Sequence, residues 1–426
     1  MRVLIVGSGG REHALAWKIA RSPHLTKLFC TPGNPGIGNH AELIAAGAGS
    51  VSDIADWAKE NEIDLVVVGP EIPLAEGIAD CLHERGVPVF GPDRKAARIE
   101  SSKVFAKELM DRHGIPTAEF VVCDTVSQAE DAIRQFTSAG KQVVVKADGL
   151  AAGKGAIVTK GRDEALEAVR RVMVDRMFGS AGDRVVIEER LRGPETSILA
   201  LTDGEHLVVL PPSQDHKPIG EGDTGLNTGG MGAYSPVPLV DDSLLNRIVK
   251  TILRPTIRAM KLEGCPYRGT LYAGLMIVNG DPYVIEFNCR FGDPETQAVL
   301  PVVEEDLLPL LKQSAEENLG PDRIVNANGA ALCVVMASGG YPESYETGKS
   351  INGLENNLGE GIVVFHAGTA MKDGRLVTAG GRVLGVTGVG RDFREAAKRA
   401  YQGTSQISFD KAYYRHDIGY RVLGVT

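Results

Sequence analysis

Val143-Val144-Val145-Lys146-Ala147-Asp148-Gly149, followed by Leu150-Ala151-Ala152-Gly153-Lys154-Gly155, reads as a β-branched strand that ends on a lysine and runs into a glycine loop. A short apolar run of this kind, bounded by glycine, is the pattern of a buried strand. The loop is not a P-loop. That motif wants four residues between its first glycine and Gly-Lys, then Ser or Thr; here three intervene between Gly149 and Gly153, and Gly155 follows Lys154. At Gly348-Lys349-Ser350 the upstream glycine is missing, because Glu343 stands in its place. What remains is a lysine at a strand tip, able to pair with nucleotide phosphates while a flexible loop closes over them. A surface lysine at a strand end is the plainer account of the same residue.

Working outward, residues 156–159 and 184–189 form two more strand-like runs, and residues 102–113 a charged helix stopped by Gly114 and Pro116. Residues 271–278 and 283–287 are apolar runs joined by Asn279-Gly280-Asp281, a hairpin signature. The second run continues as Ile285-Glu286-Phe287-Asn288-Cys289-Arg290-Phe291-Gly292-Asp293. On a strand, Glu286, Asn288 and Arg290 share one face, because side chains alternate with period two. A carboxylate, an amide oxygen and a guanidinium suit a magnesium site beside a transferring phosphoryl group, since magnesium takes one or two hard protein oxygens plus substrate phosphates. A solvated polar face would look the same. Residues 211–238 are rich in Gly and Pro and predict a long loop without regular structure, which in a compact domain is either functional or disordered.

Upstream, residues 2–6, 64–68 and 87–90 are short buried strands separated by helices, one of them spanning about residues 13–21. That alternation predicts a doubly wound parallel sheet. Gly7-Ser8-Gly9-Gly10 follows the first strand and opens the helix, so backbone N–H groups and the helix amino end could meet a phosphate. Dinucleotide binding is disfavoured, because no acid stands at the end of the next strand, Phe29-Cys30-Thr31, to take the ribose hydroxyls. Pro32-Gly33-Asn34-Pro35-Gly36 is a second loop on the same edge, where ligands of open α/β sheets collect. Two such loops favour an anionic substrate over a bare turn. The tail from about residue 324 alternates strands (330–336, 362–366, 376–377, 382–386) with one helix at 391–401.

Hydrophobic residues make up 43% of the 426 and charged residues 24%, enough for well-filled cores, and the length suits about three domains. A formal charge of −9 argues against affinity for nucleic acid or a membrane surface. The six cysteines are scattered without metal-ligand or redox spacing, which predicts reduced thiols in the cytoplasm. No apolar run approaches spanning length and no secretory leader is expected.

Taken together, Lys103, Lys146 with its glycine loop, Glu188-Glu189-Arg190-Leu191 with Glu195, and Glu286-x-Asn288-x-Arg290 resemble the ATP-grasp superfamily in kind and order. More narrowly, Gly7-Ser8-Gly9-Gly10-Arg11-Glu12-His13, Gly69-Pro70-Glu71 and Gln214-Asp215-His216-Lys217 resemble the phosphoribosylamine–glycine ligase family. So do Asn227-Thr228-Gly229-Gly230-Met231-Gly232-Ala233-Tyr234, Phe291-Gly292-Asp293-Pro294-Glu295 and, in the tail, His366-Ala367-Gly368-Thr369 and Gly380-Gly381-Arg382. The resemblance implies an α/β and α+β multidomain chain. Its parts would be a Rossmann-like substrate domain (1–102), an ATP-grasp domain (103–320) with a small mobile lid at about 118–191, and a C-terminal mixed β-rich domain (321–426). It implies ligation of glycine to 5-phosphoribosylamine with ATP, in purine synthesis, by a monomer.

On the same resemblance Lys103, Lys146, Gly153 and Asn227 would hold ATP, Glu188, Glu189, Arg190 and Leu191 would line the adenine, and Glu195 would meet the ribose. Glu286 and Asn288 would hold Mg2+ or Mn2+. Arg290, with Lys146 and Asp293, would serve the transfer itself. Gly9, Gly10, Asn34, Pro35, Glu71, Asp215, Lys217, Thr228, Gly229 and Met231 would face glycine and the phosphoribosylamine. One departure is that residues 271–276, on the strand preceding Glu286, carry no second carboxylate. A sister ligase with another acid or amine, a dehydrogenase and a non-catalytic nucleotide-binding module are the competing readings.

Overall fold

The computed structural model describes residues 1–46, 50–151 and 155–424. Its first sheet is parallel, with strands β1 (Arg2–Gly7), β2 (Lys27–Pro32), β3 (Glu42–Leu43), β4 (Leu65–Val68) and β5 (Val89–Phe90) in the spatial order 3-2-1-4-5. The reversal falls between β1 and β4, so Gly7 and Gly69 stand at the switch point where open α/β sheets leave a crevice. Both strands are buried throughout their apolar stretch because helices cover both faces. The first helix, Gly10–Ile19, starts earlier than its alanine-rich part suggests. Glu12 is the reason: its carboxylate accepts the Gly9 N–H at 2.6 Å and caps the helix from within.

The chain next builds a small antiparallel sheet from β6 (Phe120–Cys123), β7 (Val143–Ala147), β8 (Ala156–Val158) and β9 (Val185–Glu189), ordered 6-9-7-8. The helix Val126–Ser138, capped by Thr125 and Gln128, packs on it with the helix Arg162–Val169. This unit has its own core, centred on Ile133, Phe136, Val145, Val169 and Ile187.

β10 (Glu195–Thr202) and β11 (Leu207–Val209) open a third sheet. The chain then leaves it through β12 (Gln214–Asp215), β13 (Pro218–Gly220), β14 (Thr224–Asn227) and β15 (Gly232–Ser235). These four strands correct the expectation that residues 211–238 lack regular structure. Their pairing is non-local and too short for sequence periodicity to reveal: β12 and β15 join the C-terminal sheet, while β13 and β14 pair only with each other. The third sheet resumes with β16 (Gly269–Val278) and β17 (Asp281–Asn288), and ends with β18 (Arg323–Ile324). The turn between β16 and β17 has Asn279 at φ 52° and Gly280 at φ 88°, the left-handed pair that a tight hairpin demands.

A bulge interrupts that hairpin. Gly274 faces Glu286 while Leu275 faces Val284, so Ile285 is an extra residue with no partner across the ladder. Arg290 lies beyond the end of β17, so only Glu286 and Asn288 keep the strand alternation expected for all three. The remaining strands, β19 (Ala330–Ala337), β20 (Ile362–His366), β21 (Thr369–Lys372), β22 (Arg375–Thr378) and β23 (Arg382–Gly390), complete the C-terminal sheet, ordered 12-15-19-23-20, and a small hairpin. The helix Phe393–Gln406 covers it.

One buried cluster joins Ile5 and Leu15 of the first sheet region to Leu199 and Leu201 of β10, to Leu300 and Leu307, and to Phe365 of β20. The unit carrying β6–β9 stands outside it. Leu307→Ala should thus cost about 2–5 kcal/mol in the main urea transition, whereas Ile133→Ala should speed hydrogen exchange only within residues 120–189. A uniform response of the whole chain to Ile133→Ala would contradict this division.

Candidate active site

A cavity of about 750 Å³ lies between the β6–β9 unit, β17 and the segment from Asp215 to Gly229. Its first wall comes from pleating. Val144 pairs with Glu188, so Lys146, two residues along β7, shares the face of that carboxylate. The Lys146 ammonium contacts Glu188 Oε1 and donates to the Ile285 carbonyl at 2.9 Å. That carbonyl belongs to the bulge residue. Lys107 Nζ meets Glu188 Oε2 at 2.5 Å and donates to Thr117 Oγ1 at 2.7 Å. Burial works against a charge on Glu188, but Lys146 and Lys107 outweigh it and keep its carboxyl below the usual range. For Lys107 burial wins: with Lys146 nearby it is pushed down to about 8 despite Glu188.

Glu188 thus turns into the lysine pair, while Glu189, Arg190, Leu191 and Glu195 continue the rim of the same cavity with Lys103. Gly153 lies outside the described residues, although Leu150, Ala151 and Gly155 on either side line the cavity. Glu195 pairs with Lys217 at 2.9 Å across the opening.

Glu286, Asn288, Arg290 and Asp293 form the second wall. Burial disfavours charge on Glu286, yet Lys217, Lys103, Lys146 and Arg290 together hold it ionised. Arg290 is fixed from two sides, by Glu71 Oε2 at 3.2 Å and by Glu100 Oε1 at 3.0 Å. Glu100 also accepts the Cys289 N–H at 2.7 Å. Burial opposes the Arg290 charge, and Glu100 and Glu71 more than restore it. Glu100 and Lys107 escape a reading of the sequence, since each is one charged position in an ordinary helix and only packing sets it against a partner.

Tyr272 on β16 donates its hydroxyl to Glu295 Oε1 at 2.9 Å, which brings Glu295 to the cavity wall. Asp293 is held ionised against burial by Arg382 and Arg11; Arg382 Nη2 stands 3.2 Å from Asp293 Oδ2 and its Nη1 donates to the Gly229 carbonyl at 2.5 Å. Arg382 belongs to β23, so the C-terminal sheet contributes a side chain to the site.

Asp215, Lys217, Asn227, Thr228 and Gly229 make the third wall. Burial raises Asp215 to about 7; Lys217 opposes this, and Glu295, Glu195 and Glu286 add to it.

Other expected residues sit apart. Gly9 lines a smaller neighbouring cavity with Ser8, Thr31 and Pro32, but its N–H is taken by Glu12. Gly7 and Gly69 also make room for Glu12, since a Cβ at Gly69 would come within 2.1 Å of Glu12 Oε1. Glu12 thus takes the Gly9 N–H, while Gly7, Ser8 and Gly9 still line the smaller cavity. Gly10 packs against Gln297. Asn34 spends its amide on the Ser8 and His366 carbonyls, at 2.8 and 2.9 Å, and its oxygen on the Ile37 N–H; with Pro35 it lines neither cavity. Met231 is fully buried in the core. Asn34, Gly10 and Met231 shape the surroundings of the site and do not face it.

Lys107 generates a pH test. Its folded value of about 8 lies below the ordinary lysine value of 10.5, so the unfolded chain binds the extra proton between those pH values. The cost of keeping Lys107 charged is present below about pH 8 and is relieved as pH rises toward 10.5. The urea midpoint of the wild type should gain relative to Lys107→Met over that window, and parallel pH curves would refute the assignment.

Family models match nearly the whole chain: the phosphoribosylglycinamide synthetase N domain at residues 1–100, its ATP-grasp (A) domain at 101–296 and its C domain at 331–421. The phosphoribosylamine–glycine ligase of Vibrio parahaemolyticus is 47% identical over 99% of both chains. The trifunctional purine biosynthetic protein adenosine-3 of Gallus gallus is 49% identical over 99% of this chain, which spans 42% of that protein; for the bifunctional PUR2,5 protein of Pichia angusta the span is 54%. The chain thus covers about half the length of those multifunctional relatives. Among solved structures, phosphoribosylamine–glycine ligase of Thermotoga maritima superposes with a TM-score of 0.84 at 34% identity, covering 98% of this chain and 100% of that one. Biotin carboxylase of Campylobacter jejuni shares the fold, with a TM-score of 0.76 at 16% identity over 97% of this chain and 92% of that one. On its sequence from end to end, and on a cavity built from the residues those relatives' family models span, the chain belongs to the phosphoribosylglycinamide synthetase family.

Proposed function

We propose that the chain ligates glycine to 5-phosphoribosylamine with ATP, giving glycinamide ribonucleotide, ADP and phosphate by way of a glycyl phosphate. The observation that carries this reading is the convergence in one cavity of the Lys146–Glu188 wall, the Glu286–Arg290 wall and the Asp215–Thr228 wall. A carboxylate is a poor acyl donor, so its oxygen must first accept a phosphoryl group before an amine can displace it. Such transfer needs positioning and charge neutralisation more than covalent help.

Lys146 and Lys103 hold nucleotide phosphates, and residues 188–191 with Glu195 border the adenosine. Arg290, immobilised between Glu71 and Glu100, meets the transferring phosphoryl group without having to reorganise. Asp215, Lys217, Thr228 and Gly229 face glycine and the incoming amine, and Asp293 borders both cavities, so the sugar phosphate reaches toward the smaller one. The donor set also fits a divalent cation. Glu286 and Asn288 offer hard oxygens that bond to no other described residue, and no three acidic, His or Cys side chains form a complete cage among the described residues. That leaves substrate phosphates to complete a shell, as Mg2+ prefers, with Mn2+ as its substitute. Such an ion, when bound, neutralises charge on the transferring phosphoryl group.

The same reading divides the chain into a substrate domain (1–102), an ATP-grasp domain (103–320) whose β6–β9 lid moves over the nucleotide, and a C-terminal domain (321–426). It takes the working form as a monomer, since all three walls come from one chain. Its place is the cytoplasm, in keeping with six free cysteines and with no described helix long and apolar enough to cross a membrane.

Phosphate release, measured with the acid and the amine omitted in turn, tests the reaction. Release should require glycine and 5-phosphoribosylamine together; release unchanged without glycine would point to a sister ligase with a different acid. Glu286→Ala should lower kcat by about 10²–10³ and leave glycine affinity nearly unchanged, as read by single-turnover kinetics and calorimetry. Near-normal turnover in magnesium would remove Glu286 from the metal site.

A further inference from the structure

Arg415 heads the fully buried side chains in volume, although it lies near the end of the chain and far in sequence from the cavity. Its Nε and Nη2 donate to the two oxygens of Asp417, each at 2.7 Å. Its Nη1 donates to Asp223 Oδ1 at 2.9 Å and to the Pro218 carbonyl at 3.0 Å. Arg421 grips Asp223 Oδ2, which also accepts the Tyr420 hydroxyl at 2.8 Å, and donates to the Asp215 carbonyl at 3.2 Å. Asp417 in turn accepts the Gly222 N–H at 2.8 Å, and Tyr413 donates its hydroxyl to the Ile219 carbonyl at 2.8 Å. Two guanidinium groups therefore face two carboxylates, so the fully buried Arg415 carries no uncompensated charge. Burial, with Arg421 and Arg415 beside it, pushes His216 down to about 3, and the neutral ring accepts the Gly419 N–H at 3.3 Å.

Apart from the Arg415–Asp417 pair, each of these contacts joins residues 413–421 to residues 215–223, the stretch leading into β14, Asn227 and Thr228. That stretch needs outside support. β13 and β14 pair only with each other, their register slips between Pro218 and Gly220, and Thr224–Asn227 is exposed along its length. A lone two-stranded hairpin is marginal in water.

We propose that residues 413–421 are a clamp that positions the substrate wall of the cavity, with Arg415 and Arg421 as positioning residues acting through Asp223. The clamp rests on the reading of Asp215, Lys217 and Thr228 as the side that receives glycine and the sugar-phosphate amine. A guanidinium that grips a backbone turn from inside the fold fixes register in a way a hydrophobic contact does not, because its donors lie in a planar fork.

Asp223→Asn tests it while leaving the Arg415–Asp417 pair intact. The KM for glycine or for the amine should rise about tenfold while the KM for ATP stays within about twofold. Without any substrate, amides of residues 218–227 should exchange faster and those of the β6–β9 unit should not. Arg421→Gln, at a partly exposed position, should repeat the pattern, and Arg421→Lys should restore part of it. Unchanged exchange in residues 218–227 overturns the clamp. Faster exchange with all KM values unmoved, or with all raised alike, overturns its role toward substrate. Should the wild-type chain fail to ligate glycine, the proposed reaction falls, and the exchange result judges the clamp alone.

Discussion

The ammonium of Lys146 sits where two sheets meet, and the cleft depends on it. It leaves β7, reaches the Glu188 carboxylate on β9 and donates to the carbonyl of Ile285 on β17. The acceptor is the carbonyl of the bulge residue, which the register leaves without a residue opposite it in the hairpin ladder. An irregularity in one sheet is thus the docking point for the other. A cation placed there ties the small unit to the main body and leaves the space above it lined by charge.

That space is an exercise in balancing buried charge. A buried ion pair adds little to stability relative to a well-packed apolar pair, but removing one partner is costly. The site follows this rule throughout: Arg290 lies between Glu71 and Glu100, Asp293 against Arg382, and Lys107 with Lys146 against Glu188. Such groups cannot relax without stranding a charge, so they are already oriented when a phosphoryl group arrives, which is the condition for strong electrostatic stabilisation. The overall charge of −9 has little bearing here, because the field inside the cleft is set by neighbours a few ångströms away.

The C-terminal sheet belongs to the site as much as the two sheets that flank the cavity. Arg382 reaches in from β23, and residues 413–421 hold the stretch that carries Asp215 and Thr228. At the other end of the chain, Glu12 accepts the Gly9 N–H of the glycine turn. The glycine turn gives its Gly9 N–H to an internal carboxylate and still borders a cavity, and one long loop that looks unstructured is four strands.

What the sequence determined by itself was local. Short apolar runs bounded by turn residues placed β1, β4, β7, β16 and β17 within a residue or two, because a buried strand leaves a run that needs no partner to be read. Motif chemistry likewise placed Lys146, Glu286, Asn288 and Arg290, and the family resemblance added Lys103, Asp215 and Lys217; all of them line one cavity. Only the tertiary structure decided the rest. Glu100, Lys107 and Arg382 matter through a partner far along the chain, and Asn34 and Met231 carry motif identities yet turn their side chains into packing. A residue's type says which bonds it can form. Which of them it forms depends on long-range approach, and no window of sequence contains that.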